Sequence, residues 1–598
     1  MKKLFCILLL LPLGIGCTKI LTNGNNQQPF DKLSPATAFN SEGDLALYVN
    51  SFYAMLPTGD AITHGDAMSD YTARNAPPAF LIPDGYDSKD AGGWSWTSLR
   101  NVNYFLTHAP EAARKAGVRE DVISNYVGIA RFFRAYFYFD MVKQFGDVPW
   151  YSTPLDPGDS AALYKPRDPR TLVMDSVLAD LDSACNDISA DKDPTCSEIT
   201  KWVALAFKSR VCLFEGTFRK YHTELNLSST AATWLQAAVD ASQQLMESGQ
   251  YKIHTDAASP ALAYRELFID QSGNPPSDET ILAYDCSSAL TIFADANWYY
   301  TSPTYGIRLS LTKPFVNTYL DQDGTRFTDK ANYETLPFDQ EVQGRDLRLQ
   351  QTIRTIGYTR EGKATAPDFS YTPTGYQPVK YTLDSKTFDT DNINDNSIPM
   401  IRYAEVLLNY AEAKAELGEF TESDWDKTIK VLRQRAGITN TAMPTVADPY
   451  LVRYFNNSKD DPQTNITDPV LLEIRRERGI ELALEGFRFD DLLRWKKGRM
   501  LEAPYEGIYV PAMDVLYDLN DDGKPDVSFV SSVPSNKVAG VVYVKVDNAA
   551  IKLSDGTKGN VLWESNQTKE WQDFKYYYPI PYNQIVINPK LTQNPGWQ

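Results

Sequence analysis

ARFFRAYFYFDMVKQFGDVPW, residues 130–150, sets six aromatic rings among the eight positions from Phe132 to Phe139. Such a run suits a membrane span, an exposed stacking platform, or the middle of a core. Arg131, Arg134 and Asp140 interrupt it, and its apolar stretches fall well short of the ~20 residues that a spanning helix needs. On a helix the six rings take up most of the circumference and leave a narrow polar stripe, the pattern of a buried helix. A ligand platform presents a few rings on an accessible loop instead. The run is therefore expected to be core, ending at Gly146, a natural helix stop. The ligand surface is expected elsewhere.

Further helical segments surround this one. SEGDLALYVNSFYAML opens with a Ser-x-x-Asp cap signature. KWVALAFKSRVCLFEGTFRKYH and TWLQAAVDASQQLMESGQY read as a helix pair, as do IPMIRYAEVLLNYAEAKAELGEF and SDWDKTIKVLRQRAG. DPVLLEIRRERGIELALEGFRFDDLLRWKKG starts with Pro469 in a first-turn position. Ala411, Ala413, Leu417 and Gly418 put small residues where paired helices touch, as in the helix–turn–helix unit of tetratricopeptide repeats. The fold expected is all-α: a superhelix of tetratricopeptide-like helix pairs with a large, loop-rich, irregular ligand-binding face. Residues 255–395 and 500–598 are rich in Pro, Gly, Asp, Thr and Tyr and are read as loop-rich insertions wrapped on the helices.

The ends and the composition narrow the setting. MKKLFCILLLLPLGIGCTKI has two lysines, a short apolar run and Gly14 and Gly16 before Cys17. It looks like a bacterial lipoprotein signal, with 1–16 removed and lipid placed on Cys17. A plain secretory signal is the alternative. Residues 17–34 then form a lipidated, flexible tether, and 35–598 a single domain. The formal charge of −18 argues against a nucleic-acid partner, whose phosphates need Lys and Arg. Export permits a Cys185–Cys196 bridge, with buried free thiols as the other reading of Cys185, Cys196, Cys212 and Cys286.

Several stretches together resemble the SusD/RagB family. They are GIARFFRAYFYFDMVKQFGDVPW, IRYAEVLLNYAEAKAELG, RRERGIELALEGFRFDDLLRW and the tail YYYPIPYNQIVINPKLTQNPGW, with KPFVNTYLDQDGTRF and GRDLRLQQTIRTIG between them. The resemblance implies a lipoprotein of the Bacteroidota outer membrane, facing the cell exterior. It would capture a nutrient glycan and deliver it to a TonB-dependent transporter of the SusC type. Thr18, Lys19 and Ile20 follow Cys17, without the acidic cluster that often marks surface export in this phylum.

Sugar recognition without chemistry needs aromatic faces for the C–H side of the ring and polar groups for its hydroxyls. Two stretches have that composition. The first, between Met68 and Asn103, offers Asp70, Tyr71, Arg74, Asn75, Tyr86, Trp94, Trp96 and Asn101. The second, FADANWYYTSPTYG, offers Asn297, Trp298, Tyr299, Tyr300 and Tyr305. An arc from Trp96 to Trp298 is the sharpest expectation, the alternative being that half of these rings plug loops onto the frame. No cofactor is required on this reading. YDLNDDGKPDVSF has the D-x-N-x-D-G start of a calcium loop, through Asp518, Asn520, Asp522, Gly523 and Asp526. Phe529 stands where the bidentate Glu of an EF-hand would be, so a solvated acidic turn competes with structural calcium.

Three other functions compete with glycan capture. Capture of a peptide or another nutrient would use the same lid mechanism. A glycoside hydrolase needs a defined pair of carboxylates, and none is marked out among 77 acidic residues. The four His form no H-E-x-x-H, and G-x-S-x-G does not occur. A scaffold that binds only protein is the third. The charges of RRERGIELALEGFRFDDLLRW are expected in inter-helix salt bridges.

Overall fold

The computed structural model describes residues 38–273, 275–456 and 459–597. Cys17, the signal segment and the whole tether lie outside the described residues. The frame is built from helices α1 (Glu42–Asn50), α2 (Thr97–Lys115), α3 (Glu120–Phe145), α4 (Arg170–Asp187), α5 (Lys201–Tyr221), α6 (Ala231–Glu247), α7 (Tyr403–Leu417), α8 (Pro469–Glu481) and α9 (Arg488–Arg494). Neighbours in sequence pack on one another: α2 on α3, α3 on α4 and α5 on α6, with α7 then joining α5, α6 and α8. Among the described residues no helix is long and apolar enough to cross a membrane.

Helix α3 carries the aromatic run, and its chemistry explains its place. Phe132, Phe133, Tyr138, Phe139 and Phe145 are buried in the largest core cluster, while Tyr136 and Phe137 are half-buried. Phe133 meets Phe52 and Tyr53, and Phe139 meets Phe207 and Phe214, the pairs standing 5.2–5.8 Å apart between centroids. The narrow polar stripe is used, not wasted: Arg134 makes a bidentate ion pair with Asp180 of α4 at 2.7 Å. Gly146 ends the helix at φ 72°, and a Cβ there would come within 3.1 Å of the Tyr577 ring.

Helix α8 is held by charge. Asp468 caps it through Leu471 N at 2.6 Å, with Pro469 in the first turn. Arg475, Arg476, Glu477, Arg478 and Glu481 are all buried and all paired with residues of other elements. Glu481 accepts from Arg348 at 2.8 Å, from Arg402 at 2.6 Å and from Arg435. Burial works against its ionisation, but Arg435, Arg402 and Arg348 outweigh that and hold it well below the usual carboxylate range.

The structure corrects parts of the sequence reading. Ile398–Arg402 is a strand paired antiparallel with Thr280–Tyr284, not the first turn of α7. SDWDKTIKVLRQRAG is split at Thr428 into Glu422–Lys427, entered through a Thr421/Asp424 capping box, and Ile429–Arg435. The segment after 500 holds more than loops: Tyr505–Val510, Lys552–Leu553 and Gly559–Trp563 form one three-stranded sheet. Leu516–Tyr517, Val527–Val530 and Val542–Lys545 form another. The Cys185–Cys196 bridge is absent: all four thiols are free and buried, and Cys196 Sγ donates to Thr280 O at 3.2 Å.

Candidate ligand-binding face

The two aromatic stretches are joined at their roots. Thr72–Ala73 pairs antiparallel with Ser310–Leu311, in the register Thr72↔Leu311 and Ala73↔Ser310. Asn75 N then donates to Ile307 O at 2.7 Å. Loops that are far apart in the chain thus leave the frame side by side.

Several expected ligand residues instead hold this junction together. Asp70 is buried against Arg488 at 2.6 and 2.9 Å and accepts from the Tyr454 hydroxyl at 2.7 Å. Tyr71 is 1 % exposed, donates to Asp66 at 2.5 Å, and stacks on Phe315 with centroids 4.4 Å apart. Asn297 is fully buried, bonding both N and O of Leu383 as well as Asp389 and Asn394. Tyr300 donates to Thr63 O from within the core. None of these four presents a face to a ligand. Tyr86 is wedged against Phe80, Tyr578 and Trp597.

Tyr299 is buried as well, while Trp298, Tyr305, Arg74 and Asn75 lie nearer the surface. Trp298 and Tyr305 stack face to face, with centroids 3.4 Å apart and planes 7° from parallel. Tyr305 is 40 % exposed, and its hydroxyl donates to Asp295 at 2.5 Å. Asp295 also accepts from His64 Nε2 at 2.9 Å, while its own backbone N donates to Asp60. The Tyr299 ring lies on the His64 imidazole, 3.6 Å between centroids. Burial and the neighbouring Asp295 carboxylate push Asp60 up to about 6. Burial also opposes ionisation of Asp295, but the hydrogen bonds from His64 and Tyr305 outweigh it and hold this carboxyl below its ordinary value. A charged, well-bonded carboxylate therefore pins a ring pair of which Tyr305 is exposed and Trp298 half-buried. Arg74, with a buried Nε that has no partner, and the exposed Asn75 leave the same junction.

Trp94 and Trp96 belong to another part of the surface. Trp94 sits edge-on to Trp96 and Phe145, and Trp96 packs against Phe137, Tyr138 and Tyr151. Beside it runs a groove of about 410 Å³ walled by Trp96, Leu99, Tyr151 and Leu163, with Arg100 and Asn103 as polar members. Asn101 is exposed on the same helix. Trp96 and Trp298 share no ring partner among the described residues, so direct contact does not close the expected arc.

Sequence reading missed Asp60, His64, Asp295, Arg308 and Trp563. Asp295 lies within FADANW, three positions before Trp298, but its partner His64 is 231 residues away. Arg308 sits at φ 56° with its guanidinium over Trp563 at 4.9 Å. The carboxylates of the acidic turn face its own backbone. Asp518 accepts from the amides of Asn520, Asp522 and Gly523, and Asp526 accepts from Leu519 N. Among the described residues no group of three or more His, Cys, Asp and Glu is arranged to hold a metal ion.

A mostly helical frame with an irregular, ring-bearing face is the architecture of a known class of proteins. The chain matches the model described as SusD family over residues 283–597, more than half of its length, and it belongs to that family. Residues 85–213 match the model described as starch-binding associating with outer membrane. It is 26 % identical to each of two SusD-like proteins of Formosa agariphila. One match covers 84 % of this chain and 92 % of the relative, the other 64 % and 69 %. Among solved structures, a SusD-like protein of Bacteroides fragilis superposes with a TM-score of 0.64 at 21 % identity, covering 94 % of this chain and 98 % of that one. A SusD-like carbohydrate-binding protein of the same species gives 0.63 at 19 %, covering 93 % and 100 %.

Proposed function

We propose that this protein is a non-catalytic glycan-capture lipoprotein, anchored by lipid on Cys17 at the outer membrane, facing outward. It hands oligo- or polysaccharide to a TonB-dependent transporter of the SusC type. The observation that carries the reading is the Trp298–Tyr305 stack at the surface, Tyr305 exposed and Trp298 half-buried, pinned by Asp295 beside Arg74 and Asn75. A flat apolar slab with hydrogen-bonding side chains at its edge is what a sugar ring requires. The carbohydrate-binding relative of Bacteroides fragilis and a surface glycan-binding protein of Bacteroides fluxus, similar in fold, support the same class of ligand.

Hydrolysis fits the same residues poorly. A glycosidase sets two carboxyl groups on either side of the scissile bond, about 5–9.5 Å apart. The Asp295 side chain is closed to solvent and already bonded to His64 and Tyr305. Affinity electrophoresis of the purified chain through a panel of plant, host and microbial polysaccharides tests the proposal, with product analysis on the same mixtures. Retardation by at least one glycan without shorter products is expected. Shortened products, or mobility unchanged by every glycan, would overturn it.

A further inference from the structure

A second feature of the surface lies beside both aromatic sets and belongs to neither. It is a cleft of about 220 Å³ between α3, α5, the short helix Gly59–Thr63 and the turn after α8. Its floor is ring: Phe132, Phe139 and Phe207 are buried there, with half-buried Tyr136 alongside. Its mouth is polar. Lys143 Nζ donates to Asp490 at 2.7 Å and stands 3.8 Å from Asp140, whose side chain is half open to solvent. The far wall is Ala61 and Gly65, where Gly65 meets Gly486 so closely that a Cβ would come within 2.6 Å of its Cα.

Its neighbours tie it to the ligand face already described. Phe137, next to Tyr136, carries the Trp96 ring, and Gln144 donates to Asp140 from one turn further along α3. On the other side Gly65 follows His64, the residue that bonds Asp295 and so the Trp298–Tyr305 stack. The cleft thus lies one residue along the chain from Phe137, which packs on Trp96, and one residue from His64, which bonds Asp295.

We propose that the cleft is an additional subsite that takes a single uncharged pyranose ring, an inference that rests on the glycan reading above. The volume lies below the about 300–1,000 Å³ of pockets that hold drug-sized ligands, so it holds one ring and not a chain. The sugar's C–H face rests on half-buried Tyr136, and its hydroxyls meet Asp140, Asp490 and Lys143, whose ammonium already lies 5.1 Å over the buried Phe139 ring. Two carboxylates against one ammonium leave the mouth net negative, which disfavours a uronic acid by like-charge repulsion and desolvation. The remaining charged groups of the lining are committed elsewhere: Arg210 to Glu405, and Glu485 to Arg402 and Lys380.

Saturation-transfer NMR of the full chain with methyl pyranosides of glucose, galactose, mannose and glucuronic acid tests this. At least one neutral pyranoside should receive saturation, and glucuronide none. Ala61→Trp fills the exposed rim without removing a core group and should weaken that signal by about tenfold or more. Asp140→Ala should weaken it less, and Trp298→Ala should leave it. Should Ala61→Trp shift the unfolding midpoint, Asp140→Ala alone carries the comparison. Equal signals in wild type and both cleft variants, transfer to glucuronide, or no transfer at all would overturn the subsite. A chain retarded by polysaccharide that shows no cleft-dependent transfer sinks the subsite alone; a chain retarded by none sinks the glycan reading first.

Discussion

Two ring-rich segments of similar composition do opposite work. Between Phe132 and Phe139 the rings sit mid-helix, so the 3.6-residue repeat spreads them around the axis, and the neighbouring helices close over them. Between Trp298 and Tyr305 the helix is a short turn, Ala296–Thr301, and the chain reverses after it. Tyr299 and Tyr300 go inward, while Trp298 and Tyr305 are left to stack on each other at the surface. Ring count does not separate core from platform. The length of regular backbone that carries the rings does.

The comparison breaks most visibly by truncation in the helix. Phe133→Ala removes a fully buried ring packed on Phe52, Phe132 and Tyr53 and should cost about 3–5 kcal/mol. Chemical denaturation measures this, and a loss under about 1 kcal/mol would mean that the helix is not the core.

A smaller effect sharpens the other side. Asp60 has its pKa raised to about 6, above the unfolded value of about 3.9. Its protonated form is therefore favoured by folding: the stability it contributes is complete below the unfolded pKa and is lost as pH rises through about 6. Unfolding midpoints followed from pH 4 to 7 should decline less steeply in Asp60→Asn than in wild type, the window being set by those two pKa values. Parallel curves would remove Asp60 from the cluster under the platform.

Much of the frame was legible because it rests on local rules. The buried helix follows from its dense rings, its stop from Gly146, and the entry to α8 from Pro469 after Asp468. The charges of RRERGIE fell into inter-helix pairs, as helical spacing suggested. What failed depended on distant partners. IPMIR looks like a helix approach until Thr280–Tyr284 pairs with it. Asp70 and Tyr71 have the composition of a sugar site, but Arg488 and Asp66 claim them inside the fold. Asp295 gave no signal, because the His64 that makes it an anchor lies in another loop.

The central claim is that polysaccharide retention rests on the surface pair Trp298–Tyr305, while the buried rings of the Phe132–Phe139 run hold the frame together. The most direct test measures polysaccharide retention and unfolding midpoint together for Trp298→Ala. Retention should weaken by about tenfold or more, the loss of one stacking face, while the midpoint stays near that of wild type. Undiminished retention, or a fall in midpoint comparable to that of Phe133→Ala, would contradict the account.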